Sequence, residues 1–305
     1  MKKLIYFFLA LQFTSTFAGI EQYFKKIENK DGNHRMDCID FIYMINLDKR
    51  PEKYQKTMSA LAPYGISPYR FSAVNGWELS EDTLSQLGVK VGPNEPPILY
   101  PSIATVFRHE DGIEYNSFEI IKEENVAYYC HSLSRGAIGC YLSHLSILQD
   151  AYDSGYETIW IMEDDIRVVR NPHELSKQIK ILNRKVKNWD ILFTDPEMKD
   201  GVGKDLPCTD IRPRPNFQVN SVEYYRKRQQ VTKDINKIGM RFGSASMIIK
   251  RSGMKKILDF VKTYKIYFPY DIDYAFPPGI KIYACSHDIV SNICGGTSDN
   301  GSPTY

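Results

Sequence analysis

Glu163, Asp164 and Asp165 are three consecutive carboxylates, set between the strand-like run TIWIM and the apolar residues IRVV. Like charges side by side repel, and a carboxylate near an apolar core is costly unless a hydrogen bond or a cation meets it. The triplet is therefore either a solvated turn or a place built for a cation. Hard divalent ions take carboxylate oxygens, and Mg²⁺ or Mn²⁺ accepts one or two from protein and the remainder from phosphate and water. An ion there would bridge a diphosphate and neutralise charge developing on a leaving nucleoside diphosphate. Sugar transfer from a nucleotide sugar needs that chemistry. A second acidic pair, Asp271 and Asp273, lies in PYDIDY. The plain reading of that pair is two strand-end turn residues.

Elements must hold these groups in place. DFIYMIN (40–46) is a continuous apolar run and predicts a buried strand. LDKRPEKYQKTMSALAPYG predicts a helix, with Asp48 as N-cap, Pro51 in the first turn and Gly65 at the stop. PYRFSAVNG (68–76) predicts a second strand ending in a turn, and strand, helix, strand opens an α/β unit. Residues 89–130 carry Pro93, Pro96, Pro97 and Pro101 and lack periodicity, so they read as an inserted acceptor-side loop. SRGAIGCYLSHLSILQDAYDSG (134–155) predicts a helix whose Gly136, Gly139, Cys140 and Ser143 fall on neighbouring faces, where a backbone or ligand can approach. TIWIM, WDILFTD, GSASMIIK and GIKIYAC predict strands; NPHELSKQIKILNRKV and RSGMKKILDFVKTY predict helices. The tail, 293–305, has turn composition and is expected to be flexible. The expected fold is a single α/β domain over 38–292, a doubly wound mixed sheet flanked by helices. Ligands of open α/β sheets bind at the carboxyl ends of strands, where the triplet lies.

The 305 residues, 43% of them apolar, can fill one large core. Lys+Arg 39 against Asp+Glu 37 argues against a general nucleic-acid binder. Lys2 and Lys3, the run LIYFFLALQF and the small-residue ending TSTFA predict a signal peptide over 1–18, with Gly19 opening the mature chain. Export to a periplasm, a secretory lumen or the exterior follows, with no stable membrane span after cleavage. An uncleaved N-terminal anchor is the alternative. Six cysteines fit an oxidising compartment, and their spacing shows no zinc pattern.

Four stretches, in order and with agreeing spacing, resemble glycosyltransferase family 25, the lipopolysaccharide and collagen galactosyltransferase type. YMINLDKRPEKY is similar to its I-N-L-x-R-x-x-x-R segment, and SAVNG to its A-V-[DN]-G turn. LSRGAIGCYLSHLSIL is similar to its T-x-G-E-[IV]-G-C-x-x-S-H helix, and IWIMEDDI to its strand followed by E-D-D. The later GSASMIIKRSGMKKIL and YDIDYAFPPGIKIYACSHDIVSN match less specifically. The resemblance covers residues 40 to about 292. It implies a GT-A-like fold, a UDP-sugar donor such as UDP-galactose, an inverting transfer and Mn²⁺ (or Mg²⁺). It implies that Asn46, Leu47 and Arg50 lie by the nucleotide, that Val74, Asn75 and Gly76 form the turn beneath it, and that Ser143 and His144 face the donor. Asp165 is then the direct metal ligand. Asp164 would act on the same ion through water, or on the sugar hydroxyls. In the late acidic stretch the Asp behind a proline, Asp271, is the candidate base ahead of Asp273, with His287 and Asp288 behind it. Two positions depart: Ala137 stands where the family has Glu, and Lys53 where it often has Arg.

The acceptor implied is a glycan, lipopolysaccharide or glycoprotein. The alternative function is a secreted carbohydrate-binding or interaction protein on an inactive transferase scaffold, which Ala137 favours. A metal-dependent phosphohydrolase is disfavoured, because the first strand ends in INLDKR without an aspartate nucleophile followed by Asp and Thr.

Overall fold

The computed structural model describes residues 19–90, 103–106, 117–120, 127–130, 133–208, 213–293 and 299–300. Its centre is an eight-stranded mixed sheet: β1 (Phe41–Asn46), β2 (Tyr69–Ser72), β3 (Thr158–Glu163), β4 (Ile191–Phe193), β5 (Arg228–Thr232), β6 (Ile235–Ile238), β7 (Ser246–Lys250) and β8 (Ile282–Cys285), in the spatial order β5-β6-β8-β4-β7-β3-β1-β2. β1 runs parallel to β2 and β3, while β7 runs antiparallel to both β3 and β4. All six residues of β1 are buried, as a strand covered on both faces requires. Phe41, Tyr43 and Ile45 of β1 join one core, and Ile42 and Met44 join the other. Ile159 and Ile161 of β3 alternate with Trp160 and Met162 in the same way.

Helices cover both faces: α1 (Pro51–Leu61), α2 (Glu81–Leu87), α3 (Arg135–Asp153), α4 (Glu174–Lys185), α5 (Val222–Arg226), α6 (Arg251–Tyr264) and the short α7 (Tyr270–Asp273). α3 and α6 pack on the first core through Ile138, Leu142, Leu145, Ile257 and Val261. α4 packs on the second through Leu175, Ile179 and Leu182. The Ser134 side chain caps α3 by accepting from Ala137 N at 3.0 Å. α1 starts later than Asp48. Arg50 takes the N-cap position without a side-chain cap, and Asp48 instead accepts from Arg70 Nη2 at 2.8 Å and Ser72 Oγ at 2.6 Å.

The expected second strand stops at Ser72, and a 3₁₀ turn, Gly76–Glu78, follows it. The β5–β6 hairpin at the sheet edge was not foreseen: β5 is mostly polar, β6 is only four residues long, and its place depends on pairing with the distant β8. Much of 89–130 lies outside the described residues. Val89–Lys90 pairs antiparallel with Ala127–Tyr128, and Ile103–Val106 with Ser117–Ile120, both apart from the main sheet. Residues 1–18, the expected signal segment, lie outside the described residues. Among the described residues no helix is long and apolar enough to cross a membrane. Of the tail, Ile293, Asp299 and Asn300 are described.

Candidate active site

Glu163 ends β3, and Asp164 and Asp165 make the turn into a short strand, Ile166–Val168. The turn is fixed from three sides. Thr57 Oγ1 of α1 donates to Asp164 O at 2.8 Å, Glu163 N to Ala245 O at 2.9 Å, and Ile293 N to Asp165 O at 2.8 Å. Glu163 Oε1 accepts from Ser244 Oγ at 2.7 Å and lies 3.2 Å from His144 Nε2. Burial pushes its pKa up, but the bonds from His144 and Ser244 outweigh that and hold it below the usual range. Asp164 Oδ2 accepts from Asn46 Nδ2 at 2.6 Å. Burial still raises Asp164 to about 6, with Asn46 and Lys53 opposing and Glu163 adding to the rise. Asp165 is raised to about 7 by burial and then by the charges of Glu163 and Asp164. Its Oδ1 is buried without a hydrogen-bond partner.

A cavity opens on the β1–β2 side of the triplet, lined by Leu47, Val74, Asn75, Gly76, Asp164 and Asp165 among the expected residues. The turn 74–76 lies hard against α3. A Cβ on Gly139 would come within 2.4 Å of Gly76 N, and one on Gly76 within 1.8 Å of Arg135 O, so both positions require glycine. Asn75 Oδ1 accepts from Trp77 N at 3.2 Å and holds the 3₁₀ turn.

Four expected contact residues stand behind the wall instead. Asn46 is 1% exposed and ties Asp164 to Arg70 and to Arg50 O. Ser143 is fully buried, and its Oγ accepts from Val74 N at 2.8 Å. His144 is buried, stacks on Tyr270 at 4.1 Å and reaches Glu163. Arg50 pairs with Glu52 and Asp299. Each reaches this cavity through the residue it holds. Lys53, Trp77, Asp299 and Asn300 line the cavity without having been foreseen as site residues. Lys53 lies one turn after Arg50, and that i, i+3 pair of cations was the available signal. Asp299 pairs with both, at 2.5 Å from Lys53 Nζ, and Trp77 Nε1 donates to its carbonyl at 3.3 Å. Nothing local in SDNG announces that contact.

A second cavity lies on the α7 side, lined by Asp271, Tyr270, Gly243, Lys199, Arg241 and Ala137 among others. Cys140, Glu163, Asp165 and Asn300 line both cavities, which adjoin there. Gly243, at φ +79°, turns its N–H to Asp271 Oδ2 at 3.0 Å. Burial raises the Asp271 pKa, against the Gly243 bond and with the charge of Glu163 adding to it. Asp273 points away into a fully buried ion pair with Arg214, 3.1 Å from its Nε. Asp288 lies 3.3 Å from Lys199 Nζ and His287 3.9 Å from Glu174.

The donor set at Asp164 and Asp165 fits a hard cation. Two carboxylates share one cavity, both are held protonated to unusually high pH, and one keeps a buried oxygen without a partner. Because they occupy a turn and not an extended chain, they do not alternate to opposite faces; both reach the same cavity.

A family model described as glycosyltransferase family 25 (LPS biosynthesis protein) matches residues 39–274. A Drosophila melanogaster protein named Glycosyltransferase 25 family member is 29% identical over 173 residues, covering 56% of this chain and 23% of that protein. An Aedes aegypti protein of the same name is 28% identical over 157 residues, covering 51% and 21%. A human protein named Inactive glycosyltransferase 25 family member 3 is 24% identical over 155 residues, covering 50% and 21%. The chain thus spans less than a quarter of the length of the curated relatives it matches. The crystal structure of an apo UDP-glucose pyrophosphorylase overlays on 50% of this chain and 54% of its own at TM-score 0.28 and 13% identity, a likeness on which nothing rests.

Proposed function

The chain belongs to glycosyltransferase family 25, and from that premise we propose that it moves a sugar, galactose by the family resemblance, from a UDP-sugar to a hydroxyl of a glycan, lipopolysaccharide or glycoprotein. What supports this is that two cavities adjoin at Cys140, Glu163 and Asp165, with Asp164 lining the first and Asp271 the second. The donor enters the first cavity, where the turn 74–76 lies beneath the nucleotide and Lys53 offers charge to the phosphates. The acceptor enters the second. The acceptor oxygen bonds to the anomeric carbon as its proton passes to Asp271 and the bond to the diphosphate breaks; attack opposite the leaving group inverts that carbon. Gly243 orients the Asp271 carboxylate for this. Asp165, with Asp164, would hold Mn²⁺ or Mg²⁺, which supplies charge neutralisation for the departing diphosphate.

Ala137 favours a second role. It lines the acceptor cavity where the family has Glu, so a carboxylate is missing from that side, and a relative bears the name inactive. The chain would then bind donor or glycan without turnover. Calorimetric titration of the chain with UDP-, GDP- and CMP-sugars, with and without Mn²⁺, tests both. UDP-sugar binding that needs the metal, followed by transfer to an added glycan acceptor, is expected. Binding without turnover supports the inactive scaffold, and no nucleotide-sugar binding in any condition sinks the transferase proposal.

A further inference from the structure

Cys140 and His144 lie one helical turn apart on α3, and Glu163 meets them from the end of β3. Their donor atoms all fall within 4.8 Å of one another. His144 Nε2 is 3.2 Å from Glu163 Oε1, and Cys140 Sγ is 4.0 Å from the same oxygen. A tetrahedral Zn²⁺ with bonds of about 2.3 Å to sulfur and about 2.0–2.2 Å to nitrogen and oxygen needs ligand separations of roughly 3–4 Å. The three groups stand close to that arrangement.

We propose that Cys140, His144 and Glu163 form a site for a thiophilic divalent ion, Zn²⁺ first, with water as the fourth ligand. One thiol, one imidazole and one carboxylate are borderline-soft donors, unlike the all-oxygen pair of Asp164 and Asp165. The imidazole plane is set by its stack on Tyr270, 11° from parallel. A cation between His144 Nε2 and Glu163 Oε1 would take the place of the hydrogen bond that joins them. Ser244 Oγ, donating to Glu163 Oε1 at 2.7 Å, steadies the third ligand from outside. Cys140 and Glu163 line both cavities, which gives an ion a way in. On binding, the Cys140 S–H bond breaks, the S–Zn bond forms and the proton goes to solvent, so affinity falls as pH falls. The two positive charges are matched by one thiolate and one carboxylate. Cysteine spacing alone could not show this site, because its third ligand comes from another element. Cys140-x-x-x-His144, two ligands on one helix face, was the partial signal.

Cobalt(II) tests the site without any transfer assay, so the outcome does not depend on the proposed function. Co²⁺ added to the full chain should give the intense near-ultraviolet thiolate-to-cobalt absorption at one equivalent. An equimolar amount of Zn²⁺ should abolish it, and excess Mn²⁺ should leave it. Cys140→Ser, checked for an unchanged melting temperature, should lose the band. Its absence from the wild type at saturating Co²⁺ would overturn the proposal, as would a band that survives Cys140→Ser.

Discussion

At the scale of single residues, the site's behaviour turns on Asp165. Its buried Oδ1 has no partner, and two neighbouring carboxylates repel it. Asp165→Asn removes one charge from that trio, so the metal-free chain should melt at the same temperature or higher. The stabilisation by Mn²⁺ plus UDP should disappear, and transfer should fall by about two to three orders of magnitude, the scale of losing one main electrostatic stabiliser. A mutant that keeps the full Mn²⁺–UDP thermal shift would remove Asp165 from the metal set. The same carboxylates set a pH dependence. Asp164 and Asp165 are raised to about 6 and about 7, whereas an unfolded aspartate titrates near 3.9. Between roughly pH 4 and 7 the folded chain therefore holds protons that the unfolded chain has lost, and the contribution of these two groups to stability declines as pH rises through that window. A divalent ion competes for the same oxygens, so its stabilising effect grows as they deprotonate. Melts with and without Mn²⁺ and UDP at about pH 5.5 and about pH 8 should show the larger gain at the higher pH. Equal gains would place the ion elsewhere.

At the scale of elements, the contact between α3 and the turn 74–76 shapes the first cavity. Gly139 meets Gly76 N and Val74 O, both backbone atoms with little room to move. Gly139→Ala should cost about 1–3 kcal/mol in urea unfolding, the usual scale of overpacking, and should weaken UDP binding by shifting the turn. Unchanged stability and affinity together would show that the turn is not held by this approach. The glycines of the turn and of α3 and the carboxylates at the end of β3 were legible because each is a local feature of one element. Whether a side chain faces ligand or neighbour was not. Asn46, Ser143 and His144 sit in the expected motifs, yet each bonds to another residue of the chain, and buried positions look alike in sequence on either side of a wall. The Arg214–Asp273 pair and the Asp299 contacts join residues 59 and about 250 positions apart, so no window of sequence contains them. Asp271 and Asp273 are two positions apart in one short helix, and only the tertiary position of Arg214 separates the engaged carboxylate from the one facing a cavity.

At the scale of the whole molecule, the site occupies the seam where the parallel strands β2, β1 and β3 meet the antiparallel β7. The carboxyl end of β3 delivers the acidic turn there, while the segment entering β7 delivers Gly243 and Ser244 from the opposite direction. One seam therefore joins a first cavity, built largely from the first half of the chain plus the acidic turn, to a second built largely from the second half. The insertion at 89–130 is closed at its base, where Lys90 pairs with Ala127 across two antiparallel strands. Antiparallel neighbours at that register can be joined by a two-residue turn. Replacing residues 91–126 with Asn-Gly should therefore leave the sheet and both cores intact and UDP binding near its original strength. If the insertion serves the acceptor side, as its length and irregular composition suggest, transfer to a glycan should be lost while slow hydrolysis of the donor persists. Calorimetry with UDP and Mn²⁺, run beside a transfer assay and a hydrolysis assay, separates these effects. A shortened chain that fails to fold would make the insertion part of the core, and one that transfers at the original rate would strip it of any acceptor role.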